Sequence, residues 1–387
     1  MDTHSERRRF LLAAAATAAT PLLVHGGWLP AALAAGAGAR APEWDGYDHA
    51  TVIDALCSPG NVADKPDTGL TAADLADARA SGLSAVNVTV GYVGSYARDY
   101  ERAVAGIGYW DGQIDAHPDI LLKVLDAGDL ATAKRSGRVG LIYGFQDATP
   151  LGEDLDRLDS FHGLGLRILQ LTYNRRNLIG DGCLEPENSG LSLLGHELVE
   201  RMNALHMLVD LGHCGWRTTS DAIARSKRPV AISHSGCTAI ANLPRNKPDE
   251  VLRQLADKDG VIGIYMMPYL TMKGQPMAAD FIAHVEHALE VCGEDHVGIG
   301  SDGTISGVEL TPGYRKALAD DIANRKRLGI SAPGERDDSY TFVPDLNTPR
   351  RYEHIGALLA QRGHPSRVIE KVLGGNFARL FAQAWSS

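Results

Sequence analysis

No two cysteines stand at the two-residue spacing of a zinc knuckle; the five, Cys57, Cys183, Cys214, Cys237 and Cys292, are scattered along the chain. Their odd number leaves at least one without a partner in the same chain. No GxGxxG or P-loop turn follows the first strand-like run, which removes the phosphate cradle of a doubly wound nucleotide-binding sheet. Basic residues gather only at the N-terminus and the net charge is −10, so nucleic acid is not an expected partner. The one long apolar stretch, at the N-terminus, is interrupted by Pro21, His25, Gly26, Gly27 and Pro30. A stable span needs about 20 consecutive apolar residues, so none is expected once this stretch is removed. Internal repeats are also lacking.

What the N-terminus does contain is Arg7-Arg8-Arg9-Phe10-Leu11 ahead of an Ala/Leu-rich run to about Ala35. That is the pattern of a twin-arginine export signal, and Ala32-Leu33-Ala34 offers small residues for cleavage. Residues 1–35 are therefore expected to be an export signal, and the mature protein to be periplasmic or secreted.

From about residue 44, apolar β-branched runs alternate with amphipathic stretches such as TAADLADARASG and LSLLGHELVERMNALH. The runs fall at 50–57, 84–90, 120–125, 139–146, 166–173, 205–213, 228–235, 260–268 and 296–303. Strand–helix alternation predicts a parallel sheet buried on both faces. Lys123 interrupts the run at 120–125; omitting it leaves the eight strands of a (β/α)8 barrel. The 387 residues suit one such barrel with insertions, typically about 250 residues and up to more than 400. Residues 44–387 are thus expected to form a single barrel. The segment 304–350, rich in Pro, Gly, Asp and Arg, is read as a long loop at its mouth.

Polar residues end several of these runs. LVDLGH ends in His213, PVAISHS carries His234 and VGIGSDG carries Asp302. Neutral imidazoles on neighbouring strands are common zinc ligands, and an aspartate beside them suits general acid–base work. The first run, ATVIDALC, supplies only Leu56 and Ser58 where a metal-hydrolase barrel has a His-x-Asp pair. Cys57 between them is read as a packed small residue, with zinc ligation as the alternative.

The order LVDLGH, PVAISHSGCTAIANLPRN, HVGIGSDG and LGGNFARLF resembles the membrane (renal) dipeptidases, an amidohydrolase-type metallopeptidase family, over about Asp54 to Phe381. The resemblance implies a (β/α)8 barrel that cleaves a dipeptide or another small amide with metal-activated water. It places Arg245 and Asn246 on the substrate and Asp302 as the acid–base residue. It also marks departures. The family's His and Asp of the first strand are Leu56 and Ser58; its bridging glutamate is Gln146, followed by Asp147; its substrate-polarising histidine is Tyr173. Two closely spaced cations need bridging negative charge, so the expected site is reduced to one zinc or similar ion on His213, His234 and the Gln146 carbonyl oxygen, with Tyr173 donating to the substrate. A homodimer is the family expectation. The alternative is a catalytically silent barrel that binds a small ligand in the same cleft.

Overall fold

The computed structural model describes residues 44–60, 69–91, 93, 98–336 and 338–386. The expected export signal lies outside them.

The described residues form eleven strands: β1 (Ile53–Asp54), β2 (Cys57–Ser58), β3 (Ala85–Thr89), β4 (Leu121–Lys123), β5 (Val139–Phe145), β6 (Leu166–Gln170), β7 (Leu208–Asp210), β8 (Ala231–Ser235), β9 (Val261–Ile264), β10 (Val297–Ile299) and β11 (Gly303–Thr304). Every pairing between them is parallel. β1 pairs with β3 on one side and β10 on the other, and β3 pairs with β5. The ring β1-β3-β5-β6-β7-β8-β9-β10 therefore closes as an eight-stranded barrel with helices between its strands. β4 is a ninth strand beside the start of β5, with Leu121 opposite Val139.

The composition of the strands explains the closure. β5, VGLIYGF, is buried at all seven positions, as a parallel strand covered on both faces requires. Ile53, Ala85, Leu208, Ala231 and Val261 at strand starts, with Ile142 and Ile168 further along theirs, pack with Phe377, Leu380 and Phe381 of the helix Asn376–Trp385. This closes the barrel floor and leaves the C-terminal strand ends as the mouth.

The segment 304–350 is not simply a loop. It contains the helix Pro312–Leu328, capped by the Thr311 hydroxyl, opened by Pro312 and ended by Gly329 in the left-handed region (φ 68°). Threonine as N-cap, proline in the first turn and glycine just past the end are the marks of a helix in isolation. The expectation rested on composition and passed over this order. No helix among the described residues is long and apolar enough to cross a membrane.

Candidate active site

At the mouth the chain is bound to itself by buried carboxylates. Asp54 accepts from the backbone N–H groups of Leu56 and Ser301 and from the Tyr352 hydroxyl. It thereby ties the end of β1 to the end of β10. Beyond it, β2 and β11 form a two-stranded sheet, with Gly303 opposite Cys57. Leu56 and Ser58 serve this pairing through their carbonyls, which accept from Asp302 N–H and Ile305 N–H. Cys57 is buried, and burial, then the nearby Asp54 carboxylate, push its thiol up to about 12.

Asp210, at the end of β7, accepts from the backbone N–H of Leu211, Gly212 and Ser233 and from the Ser233 hydroxyl. These bonds shape the Leu-Gly-His turn. Glycine is required at 212, because a Cβ there would stand 2.7 Å from Gln170 Oε1 and 2.9 Å from the His234 ring. His213 and His234 are brought together with ring centroids 4.8 Å apart. Both are buried. Burial first, and then the cation Arg245, hold both rings well below the usual histidine range, so they are neutral.

Their tautomers follow from the surrounding bonds, since the proton positions are assigned from the network. Asn174 Nδ2 donates to the Ile330 carbonyl, leaving Oδ1 to accept from His213 Nδ1–H at 2.5 Å. His213 Nε2 then accepts from Arg245 Nη2 at 3.3 Å. The Ser233 hydroxyl donates to Asp210 and accepts from His234 Nδ1–H at 2.7 Å. His234 Nε2 is buried with no partner. Tyr173 stacks on His213 at 4.1 Å and 29°.

Arg245 and Asn246, expected on the substrate, lie inside the scaffold. Arg245 is 1% exposed; besides His213 it donates to the Gly212 carbonyl at 2.6 Å and packs over Tyr265 and Tyr269. Asn246 Nδ2 donates to the carbonyls of Ala241 and Tyr269, and its Oδ1 accepts from the Tyr265 hydroxyl. Both ends of its amide are thus engaged within the scaffold. Lys247, also fully buried, donates to the Cys214 carbonyl.

In front of this cluster opens a cavity of about 1110 Å³ whose wall includes Leu56, Thr89, Gln146, Ser301, Asp302 and Arg325. His213, His234 and Arg245 are not wall residues. Asp302 has φ 59°, an uncommon conformation that aspartate tolerates better than most residues. Burial pushes its carboxyl up to about 6, against the pull of Arg245 and Arg325. Arg325 belongs to the helix Pro312–Leu328 and was not singled out from sequence. It forms a two-pronged pair with Glu335 and donates to the Tyr173 hydroxyl at 3.1 Å. Burial alone would raise the Glu335 carboxyl, yet Arg325 brings it below its ordinary value.

The expected zinc set does not assemble. Gln146 Nε2 donates to Thr89 Oγ1 at 2.8 Å on the cavity wall, which leaves its Oε1 as a neutral donor, but His213 Nε2 faces a guanidinium rather than open space. Among the described residues no three His, Cys, Asp or Glu side chains gather as a metal set. One free imidazole nitrogen and one amide oxygen are too few, because a catalytic zinc takes three protein ligands.

Known proteins give this arrangement its relatives. The dipeptidase tcpJ of Claviceps purpurea (strain 20.1) is 30% identical over 261 residues, 66% of this chain and 54% of that protein. The dipeptidase verJ of Clonostachys rogersoniana is 34% identical over 200 residues, 51% of each. The chain spans about half the length of these curated relatives. An amidohydrolase from Pseudomonas aeruginosa superposes with a TM-score of 0.76 at 28% identity, over 88% of this chain and 98% of that one. A metallo peptidase from Rhodobacter sphaeroides, solved with a phosphinate mimic of the dipeptide L-Ala-D-Ala, has a TM-score of 0.71 at 20% identity over 87% of this chain and 99% of that one; at that identity the likeness speaks for the fold. The membrane dipeptidase model, peptidase family M19, matches residues 49–325, and the chain belongs to that family.

Proposed function

We propose that this protein hydrolyses a small peptide or related amide in the cavity at the barrel mouth, with Asp302 as the acid–base group. The observation that carries this reading is the setting of Asp302. It ends a barrel strand at the C-terminal face, where barrel enzymes hold their catalytic groups. It stands on the cavity wall, and its proton affinity is tuned to near neutrality, as a general base requires. The ionised carboxylate takes a proton from a water molecule as the water oxygen attacks the carbonyl carbon. The same proton then passes to the leaving nitrogen as the C–N bond breaks. Arg325, also on the wall, offers N–H donors to a substrate carboxylate.

Membership of a metallopeptidase family implies a divalent metal. His213, His234 and Gln146 do not fit it, so no step here runs through one. A second reading, a silent barrel that binds a small ligand, is favoured by the capping of His213 by Arg245. Incubating the purified protein with a panel of dipeptides, N-acyl amino acids and small esters, followed by mass spectrometry, separates the two. Turnover abolished by Asp302→Asn supports hydrolysis; saturable binding with no product supports the silent barrel. Export by the twin-arginine route is proposed from Arg7 to Leu11, and Arg7→Lys with Arg8→Lys and Arg9→Lys should hold the protein in the cytoplasm.

A further inference from the structure

We propose that Arg245 is the resident cation of the buried histidine pair behind this cleft, its guanidinium occupying the face of His213 on which a divalent metal would have to bind. The inference concerns the cluster behind the cavity of the hydrolase reading and can fail independently of that reading, because it is read from metal content and ring chemistry rather than turnover.

A metal shared by two imidazoles needs both Nε2 lone pairs and at least one further donor. His234 Nε2 meets the first requirement: it is buried, carries no proton and has no partner. His213 Nε2 does not. Its lone pair points at Arg245 Nη2, 3.3 Å away. A guanidinium has five donors, no acceptor and no accessible neutral form, so it cannot share that lone pair with a metal or yield it by losing a proton.

Arg245 is also held where it is. Its second terminal nitrogen donates to the Gly212 carbonyl at 2.6 Å, its plane lies over two tyrosine rings, and it is 1% exposed. His213 cannot turn to offer its other nitrogen, because Nδ1–H is bound to Asn174 and Tyr173 covers the ring face. Lys247 adds a second fully buried side chain of the same charge nearby. A divalent ion would therefore meet fixed positive charge in a region of low dielectric, where such repulsion is strong. The Gln146 amide, whose nitrogen donates to Thr89, offers only a neutral oxygen, which does not offset that charge. The cluster instead has internal logic as a metal-free unit: each imidazole donates through Nδ1, and the positive charge comes from a side chain that never leaves.

The test uses the full-length protein, labelled with ¹⁵N-histidine. Metal content is measured by elemental analysis as purified, and again after incubation with excess zinc and desalting. Long-range ¹H–¹⁵N spectra of the imidazoles are recorded in both states. The expected result is well under one zinc per chain throughout, with His213 and His234 both protonated on Nδ1 and their Nε2 signals unmoved by zinc. Retained zinc with those signals unmoved would place the ion elsewhere and leave the inference intact. One zinc per chain that shifts the His213 and His234 Nε2 signals, and that is lost in His213→Ala, would overturn it.

Discussion

Around β7 and β8, polar groups are joined to one another. Asp210, Ser233 and His234 form one buried hydrogen-bonded chain, Asn174, His213 and Arg245 a second, and Asn246 beside them bonds to Ala241, Tyr265 and Tyr269. Around β1, β3, β5 and the helix Pro312–Leu328, the polar groups Thr89, Gln146, Asp302 and Arg325 border a cavity. The first region contains the residues whose sequence context is most distinctive; the second contains the groups a substrate can touch. One motif, around His213 and His234, can therefore persist as scaffold while the chemistry rests with Asp302 of another and with Arg325, which carries none.

Substitutions in the two regions should fail in different ways. The largest effect is expected from Asp302→Asn: kcat/KM should fall by roughly 10²–10⁴, the usual contribution of acid–base catalysis, with no loss of thermal stability. Burial raises this carboxyl to about 6 from an ordinary value of about 3.9. The folded state thus favours its neutral form, and ionising it costs stability as pH rises through 6. An unaltered rate in this variant would remove Asp302 from the chemistry.

Arg245→Met should do the reverse. It strands the Gly212 carbonyl and His213 Nε2, and each buried unpaired group costs about 1–3 kcal/mol. Urea denaturation should register a loss of about 3 kcal/mol; a loss within error of zero would mean that the network is not structural. Next in size is Arg325→Gln, expected to raise KM roughly tenfold, about 1.4 kcal/mol, for substrates bearing a free carboxylate. Neutral analogues should change little, and equal effects on both would deny Arg325 a role in anion recognition.

A pH profile should show the smallest effect. The base acts when ionised, so kcat/KM should rise with pH through an inflection near 6. A falling limb there would instead require Asp302 to enter the reaction protonated.

The barrel was legible because its strands are short apolar runs separated by amphipathic segments, and burial on both faces leaves that signature in sequence. Even the weakest run, with Lys123 in it, proved to be a strand, but one outside the closed ring. The mouth was legible in part. His213, Asp302, Gln146 and Tyr173 follow strands, His234 lies near the end of β8, and the structure brings the two histidines together. What sequence could not convey was which nitrogen of His213 faces which neighbour, because that depends on Asn174 and Arg245, 39 and 32 residues away. Arg325 was hidden for another reason: its segment looked like a loop, and nothing local distinguishes it from Arg327 or Arg336.

The union of β2 with β11 has a consequence for how the protein is made. Asp54 and Ser301 are 247 residues apart, and Asp54 and Tyr352 are 298 apart. During synthesis the first strand waits for nearly the whole chain before its carboxylate finds these donors. Contacts this distant in sequence form slowly, and Asp302 adopts its place only when they do. The mouth is thus the last part of the ring to be sealed, and a chain broken off before residue 301 would carry the two histidines yet have no Asp302 to set beside them.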